Sequence, residues 1–197
     1  MSPTSWRQSL CDFWRRPPTG YRPGVTLNHL RRDLAALDYT PLEPGLAGFA
    51  WADVGFGFEV RERPQAQFLM HLVLCEFRLR VPGAAGPAAR IELRHTGAIR
   101  RQGVAAQMKQ GTPEQAAELL PLLQGDPRLL AALLPLDFQR LSLQRDDQGW
   151  LVCLEHFGAS EVVNRLPGFR RYIRLSAAQR DALLMTFARL RELLGAY

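Results

Sequence analysis

A chain of 197 residues can bury a core without metal or disulfide staples, and 47% apolar with 22% charged residues excludes a disordered or low-complexity composition. The formal charge is +6, yet 24 of the 25 basic residues are Arg and Lys109 is the one Lys, which together with abundant Ala, Leu, Gly and Pro fits the codon use of a GC-rich bacterial genome. The three cysteines, Cys11, Cys75 and Cys153, are odd in number and widely spaced, so a disulfide framework is excluded and a reducing compartment is expected.

The N-terminal stretch has an Arg before any apolar run and no small-residue cleavage site, which argues against a secretory signal. Trp6, Leu10, Phe13 and Trp14, with Arg7, Arg15 and Arg16 among them, form an arm over residues 1–24 that packs on its own domain, docks a partner or lies on an acidic membrane surface. Leu27, Leu30, Leu34 and Leu37 then recur at helical spacing until Pro41, which predicts one amphipathic helix. From Phe56 the period changes to two: Phe56, Phe58 and Val60 alternate with Gly57, Glu59 and Arg61, as in a half-buried strand.

Between Phe68 and Val81 the odd positions stay mostly apolar, while the even ones pass from Phe68, Met70, Leu72 and Leu74 to Glu76, Arg78 and Arg80. One face is therefore buried throughout and the other only at first. A straight strand of that length would reach about 45 Å at roughly 3.3 Å per residue, so a bend or bulge is expected near its middle. After the turn PGAAGP, Ala89, Ile91 and Leu93 alternate with Arg90, Glu92 and Arg94 in a third strand.

Two helices follow with clear start signals. Thr112-Pro113-Glu114-Gln115 is a capping box with Pro at the first helical position, and Asp126-Pro127 repeats the cap-then-Pro device. Phe138 to Arg145, the loop DDQG and Trp150 to Phe157 read as a hairpin, Phe169 to Leu175 as a further strand, and Ser176 to Gln179 as a capping box opening a last helix with Leu183, Leu184, Phe187, Leu190 and Leu194 on one stripe. The fold class is α+β: antiparallel sheet in two β-rich blocks, each followed by helices, in a single domain over residues 25–197. LVLCEF and LVCLEHF occupy similar places in the two blocks and suggest pseudo-repeats over 55–135 and 138–197 in a duplicated βββα arrangement.

No familiar catalytic motif is present. His71 and Cys75, with His95 on a neighbouring strand, suggest a metal site, but four residues along a strand separate side chains by about 13 Å, too far to share an ion. Cys153 and His156 project from opposite faces of a strand and cannot pair as nucleophile and base without a bulge. Ser160 follows a strand and precedes more strand-like sequence, so it is no nucleophile elbow and is expected in a turn, and GFGF at 55–58 lacks the glycine spacing of a dinucleotide fingerprint. Asp146 and Asp147 are turn residues. Glu155 shares a strand face with Cys153 and Phe157, and would need a partner if buried. No metal site and no cofactor is expected.

The charge is local: residues 61–110 hold nine basic and three acidic groups, a balance of +6. Strand alternation puts Arg61, Arg63, Arg78, Arg80, Arg90 and Arg94 on the face opposite the core, with Glu59, Glu76 and Glu92 among them. Such a face could hold a phosphate, a carboxylate or an acidic partner, or be a solvated face of cross-strand Arg to Glu pairs. A nucleic-acid platform would want aromatic rings among the arginines, whereas Phe56, Phe58 and Phe77 fall on the buried side; Arg170, Tyr172 and Arg174 of the last strand are the alternative stacking face.

The stretch FGASEVVNRLPGFRRYIRLSAAQRDALL, with GWLVCLEHF before it, resembles the C-terminal region of an uncharacterised proteobacterial protein family of unknown function. That resemblance implies a bacterial origin and carries no catalytic residue. The reading is a cytoplasmic, non-catalytic binding or accessory protein with an Arg-rich sheet face. The alternatives are a nucleic-acid-binding protein, or an enzyme whose pocket uses Glu155 or His71 and Cys75.

Overall fold

The computed structural model describes residues 20–67, 70–83, 86–97, 102–165 and 168–197; the arm residues Trp6 to Trp14 and Cys11 lie outside them. The first helix, α1 (Val25–Asp33), is followed by strands β1 (Asp38–Glu43), β2 (Leu46–Trp51), β3 (Phe56–Ala66), β4 (Met70–Pro82), β5 (Ala89–Thr96) and β6 (Gly103–Gln110). Helices α2 (Pro113–Gly125) and α3 (Pro127–Leu133) come next, then strands β7 (Phe138–Asp146), β8 (Gly149–Arg165) and β9 (Gly168–Ile173), and helix α4 (Ala177–Leu194). The class is α+β.

The two β-rich stretches merge into one nine-stranded antiparallel sheet in the order β1-β2-β3-β4-β8-β7-β5-β6, with β9 paired to β8. The β7–β8 hairpin thus sits between β4 and β5, strands that are adjacent in the chain. Its two-residue turn ends at Gly149, whose φ of 107° belongs to glycine and whose place a Cβ would drive into the Val81 carbonyl.

The long apolar strand runs unbroken as β4, and its burial alternates as its residues dictate: Phe77, Leu79 and Val81 are buried in the core, while Glu76, Arg78 and Arg80 are progressively more exposed. Leu72 and Leu74, on the charged side, are buried apart from the main core. The expected irregularity lies at its middle, between Val73 and Cys75, but the extra residues belong to β8: Val73 pairs with Glu161 and Cys75 with His156. Within this bulge Ala159 takes φ 67°, and buried Ser160 donates its hydroxyl to the Phe157 carbonyl. Ser160 therefore sits in a bulge of a continuing strand and not in a connecting turn.

The four described helices lie on one face of the sheet. Leu27, Leu30, Leu34 and Leu37 are buried there, beside Phe58, Phe77, Trp150, Leu154 and Phe187. Helix α1 stops at Asp33, well before Pro41, which instead lies inside the edge strand β1 at a break of register, where a missing N–H is tolerated. Strands β1, β2 and β6 are absent from the sequence reading: DYTPLE, LAGFAW and GVAAQMKQ are weak in β-formers, and pairing with stronger neighbours decides their state.

The three expected caps are formed. Thr112 and Ser176 each close a capping box, with Gln115 and Gln179 respectively, and the Asp126 carboxylate accepts from the Leu129 N–H at 2.7 Å. Helix α1 has no cap of its own. Its N-terminus is closed by Glu62 of β3, which accepts from the N–H groups of Gly24 (2.8 Å) and Leu27 (3.0 Å) and from the Tyr21 hydroxyl (2.7 Å).

Candidate functional site

Period-two alternation in β3, β4 and β5 turns Arg61, Arg63, Arg78, Arg80, Arg90 and Arg94 away from the helices, onto a sheet face that carries none of the described helices. Cross-strand register brings acids between them. Glu59 stands opposite Arg78, Arg61 opposite Glu76, and Glu76 opposite Glu155. Arg140 of β7 stands opposite Glu155 on its other side.

The six arginines divide by how tightly they are held. Arg80 donates to both oxygens of Asp146 at 2.8 Å, Arg90 to Glu92 at 3.0 Å and Arg94 to Glu92 at 3.3 Å. Arg61, Arg63 and Arg78 instead face Glu43, Glu76 and Glu59 at 3.9, 3.9 and 3.6 Å, outside hydrogen-bond distance. The Arg78 Nε is also 3.8 Å from Glu76 and makes no hydrogen bond among the described residues. These three guanidinium groups are neighbours on β3 and β4, and they keep donors for another acceptor.

Beside Arg78 and Arg80 the sheet surface sinks into a trough of about 480 Å³. Its floor is made by the small residues Gly48, Ala50 and Gly57, and Leu151 and Glu59 complete the rim. A wider groove of about 690 Å³ runs outside α1, past Asn28, Arg31 and Arg32, where the Arg31 guanidinium lies over the Tyr39 ring at 5.0 Å.

The centre of the charged face holds the Glu76 and Glu155 carboxylates side by side. Burial pushes the Glu155 carboxyl up and the negative Glu76 pushes it further, against the pull of Arg140 and Arg63. The Cys153 thiol beside them is also pushed up, by burial and then by Glu76. Glu92 behaves oppositely: against its own desolvation, the hydrogen bond and charge of Arg90 hold it below the ordinary carboxylate range.

The structure separates the residues of the enzymatic reading. His71 and Cys75 are buried on the helix-covered side, His71 under α1 near Gly20 and Cys75 in the core, whereas Glu155 lies on the charged face among Arg140, Glu92 and Arg94. Cys153 and His156 likewise point to opposite faces. His156 accepts from the Asp137 N–H at Nε2 (2.9 Å), so its Nδ1 carries the proton, which it directs at the Gly158 carbonyl at 3.2 Å and so braces the bulge. His95 bonds the Leu136 carbonyl at 2.9 Å. Among the described residues no three His, Cys, Asp or Glu side chains are grouped to hold a metal ion.

Arg170, Tyr172 and Arg174 do share a side, and it is the side that holds α1. Tyr172 and Arg174 both donate to Asp33 at 2.9 Å, Arg170 reaches the Gly20 carbonyl at 2.7 Å, and the Tyr172 ring stacks on His29 with centroids 4.8 Å apart. Phe56, Phe58 and Phe77 lie on the core side, as their parity predicts. Sequence reasoning missed the buried carboxylates Glu62, Glu161 and Asp33, each of which ties α1 to the sheet. Glu62 interrupts the Arg61-Arg63 alternation on the apolar side of β3, the one signal that could have marked it.

Fold and face together define an α+β protein with helices on one side of a wide antiparallel sheet and an ion-paired, Arg-bearing surface on the other. The chain belongs to the family described as "Protein of unknown function (DUF3156)", whose model matches residues 32–194 and so reaches well beyond the C-terminal third that carried the resemblance. No curated protein and no solved structure matches the chain. Among the described residues no helix is long and apolar enough to cross a membrane.

Proposed function

We propose that this is a non-catalytic binding or accessory protein of the cytoplasm that takes an anionic ligand or an acidic protein partner on its Arg-bearing sheet face. The observation that carries the reading is the group Arg61, Arg63 and Arg78, whose carboxylate neighbours stand 3.6–3.9 Å away and leave donors for an incoming anion. The adjoining trough beside Arg78 and Arg80 gives the rest of a ligand room against small residues and Leu151. Arg80, Arg90 and Arg94 are hydrogen-bonded within the face and serve to shape it.

Calorimetric titration with inorganic pyrophosphate and with poly-L-glutamate, at about 50 mM salt where screening is modest, tests this. Binding of one probe is expected, weakening as salt rises and lost in the triple variant Arg61→Gln, Arg63→Gln, Arg78→Gln, but kept in Arg90→Gln, Arg94→Gln. No binding of either probe, or binding that survives the triple change, overturns the reading. Single-stranded DNA binding in preference to both probes would favour the nucleic-acid alternative.

A further inference from the structure

Among the described strands the sheet has three edges, and two of them are guarded. Strand β1 carries Pro41, a register break and the acids Asp38 and Glu43. Strand β9 is short, with Arg170 and Arg171 side by side. Such features blunt a free edge against pairing with another strand. Strand β6 is guarded only towards its end, by Lys109 and a register break against β5 beyond Met108; over Gly103–Met108 every residue is uncharged and none is proline. Among the described strands it pairs with β5 alone. On its helix side Val104 is buried, but Ala106 and Met108 are only partly covered, as are Leu120 and Leu130 of the flanking α2 and α3. A stretch of edge without guards, with an unfinished apolar layer behind it, is the shape of an interface.

We propose that β6 pairs antiparallel with β6 of a second copy of this chain, extending one sheet across two molecules. The strand is self-complementary. With Ala106 on the two-fold axis, Val104 lies opposite the partner's Met108 on the helix side and Ala105 opposite Gln107 on the charged side. Lys109, at the register break, lies past this paired stretch and never against its own copy. A two-fold axis perpendicular to the sheet preserves side-chain parity, so both helix layers stay on one face and both Arg-bearing surfaces on the other. The partly covered Ala106 and Met108 of each copy complete the other's apolar layer.

Analytical ultracentrifugation of the full chain from about 1 to about 100 µM gives the association directly. A dimer is expected in this range. Ala105→Lys with Gln107→Lys changes two exposed side chains, places like charges opposite each other across the seam, and should weaken dimerisation about tenfold or more. Amide exchange of the unaltered protein gives an independent reading: protection of β6, but not of β1 or β9, should rise with protein concentration. A monomer throughout the range overturns the proposal, as does a dimer that the folded double variant leaves unchanged. If that variant fails to fold, β6 exchange that is independent of concentration overturns it.

Discussion

Glu76 and Glu155 are set against each other by register, one from β4 and one from β8, at the centre of a face otherwise built of Arg to carboxylate pairs. Because burial and its neighbour raise the Glu155 carboxyl, the folded state holds that proton more tightly than the unfolded chain does. Its contribution therefore lowers stability with rising pH: nothing is lost below the unfolded glutamate value of about 4.3, and the cost grows as pH rises through the higher folded value. Glu155→Gln should stabilise the protein at pH 7 by roughly 0.2–1 kcal/mol, the size of a cross-strand pair, and leave it unchanged near pH 4. Thermal unfolding of both proteins across that range measures the difference, and a variant less stable than the parent at pH 7 would refute it. Strand parity made the six arginines of this face legible, since alternation alone assigns a side. It could not give their partners. Which acid stands opposite which arginine depends on register between strands distant in sequence, so the contrast between the tight Arg80 to Asp146 pair and the loose Arg78 to Glu59 pair was invisible.

Helices α2, α3 and α4 announce their starts locally, and the sequence located all three caps because a cap is a contact between residues three apart. Helix α1 depends on a distant partner instead, and strands β1, β2 and β6 depend on pairing with neighbouring strands rather than on their own composition. For α1 the apolar stripe was legible, but its cap comes from Glu62, 35 or more residues away. Glu62→Ala strands two helix N–H groups and the Tyr21 hydroxyl, and should cost about 2–3 kcal/mol, roughly 4–12 °C in melting temperature. Glu62→Gln keeps an acceptor and should lose less. A melting temperature within a degree of the parent's for Glu62→Ala would show that α1 is held without this cap, by its leucines and the contacts of Asp33 and Glu161. A second comparison separates a cap that is only a cap from one that also joins elements. Ser176 closes α4 and nothing else, whereas Asp126 caps α3 and takes a multiply bonded ion pair from Arg189 of α4. Ser176→Ala should therefore cost about 1 kcal/mol and Asp126→Ala about 2–3. The Arg189 hydrogen bond, opposed by partial burial, holds the Asp126 carboxyl below its ordinary value. Its share of stability is thus full above the unfolded aspartate value of about 3.9 and is lost as pH falls through the lower folded one. The gap between the two variants should narrow below about pH 3, as unfolding followed by circular dichroism would reveal.

At the scale of the whole molecule, chain order and sheet order disagree, and that disagreement bears on how the protein folds. The sequence presents two β-rich stretches, and the likeness of LVLCEF to LVCLEHF invites a division into halves. In the sheet those two segments are direct neighbours, Cys75 against His156 and Phe77 against Leu154, with β3 and β7 flanking them. Strands β4 and β5 are parted by the whole β7–β8 hairpin, so each needs a partner from the second stretch. Neither half can complete its backbone hydrogen bonds or cover its apolar face alone. The expected outcome is one cooperative transition: fluorescence of fully buried Trp150 in β8 and far-ultraviolet circular dichroism should give coincident denaturant curves, and separately expressed fragments 20–135 and 138–197 should each lack a cooperative transition. Two resolved transitions, or a fragment that unfolds cooperatively by itself, would show that the halves are independent units and that the interleaving is docking between them. Most of the sheet's pairing joins strands consecutive in the chain, but β4 to β8 and β5 to β7 join the two stretches, and the β4 to β8 pairing, the longest among the described strands, should be the slow step that closes the sheet.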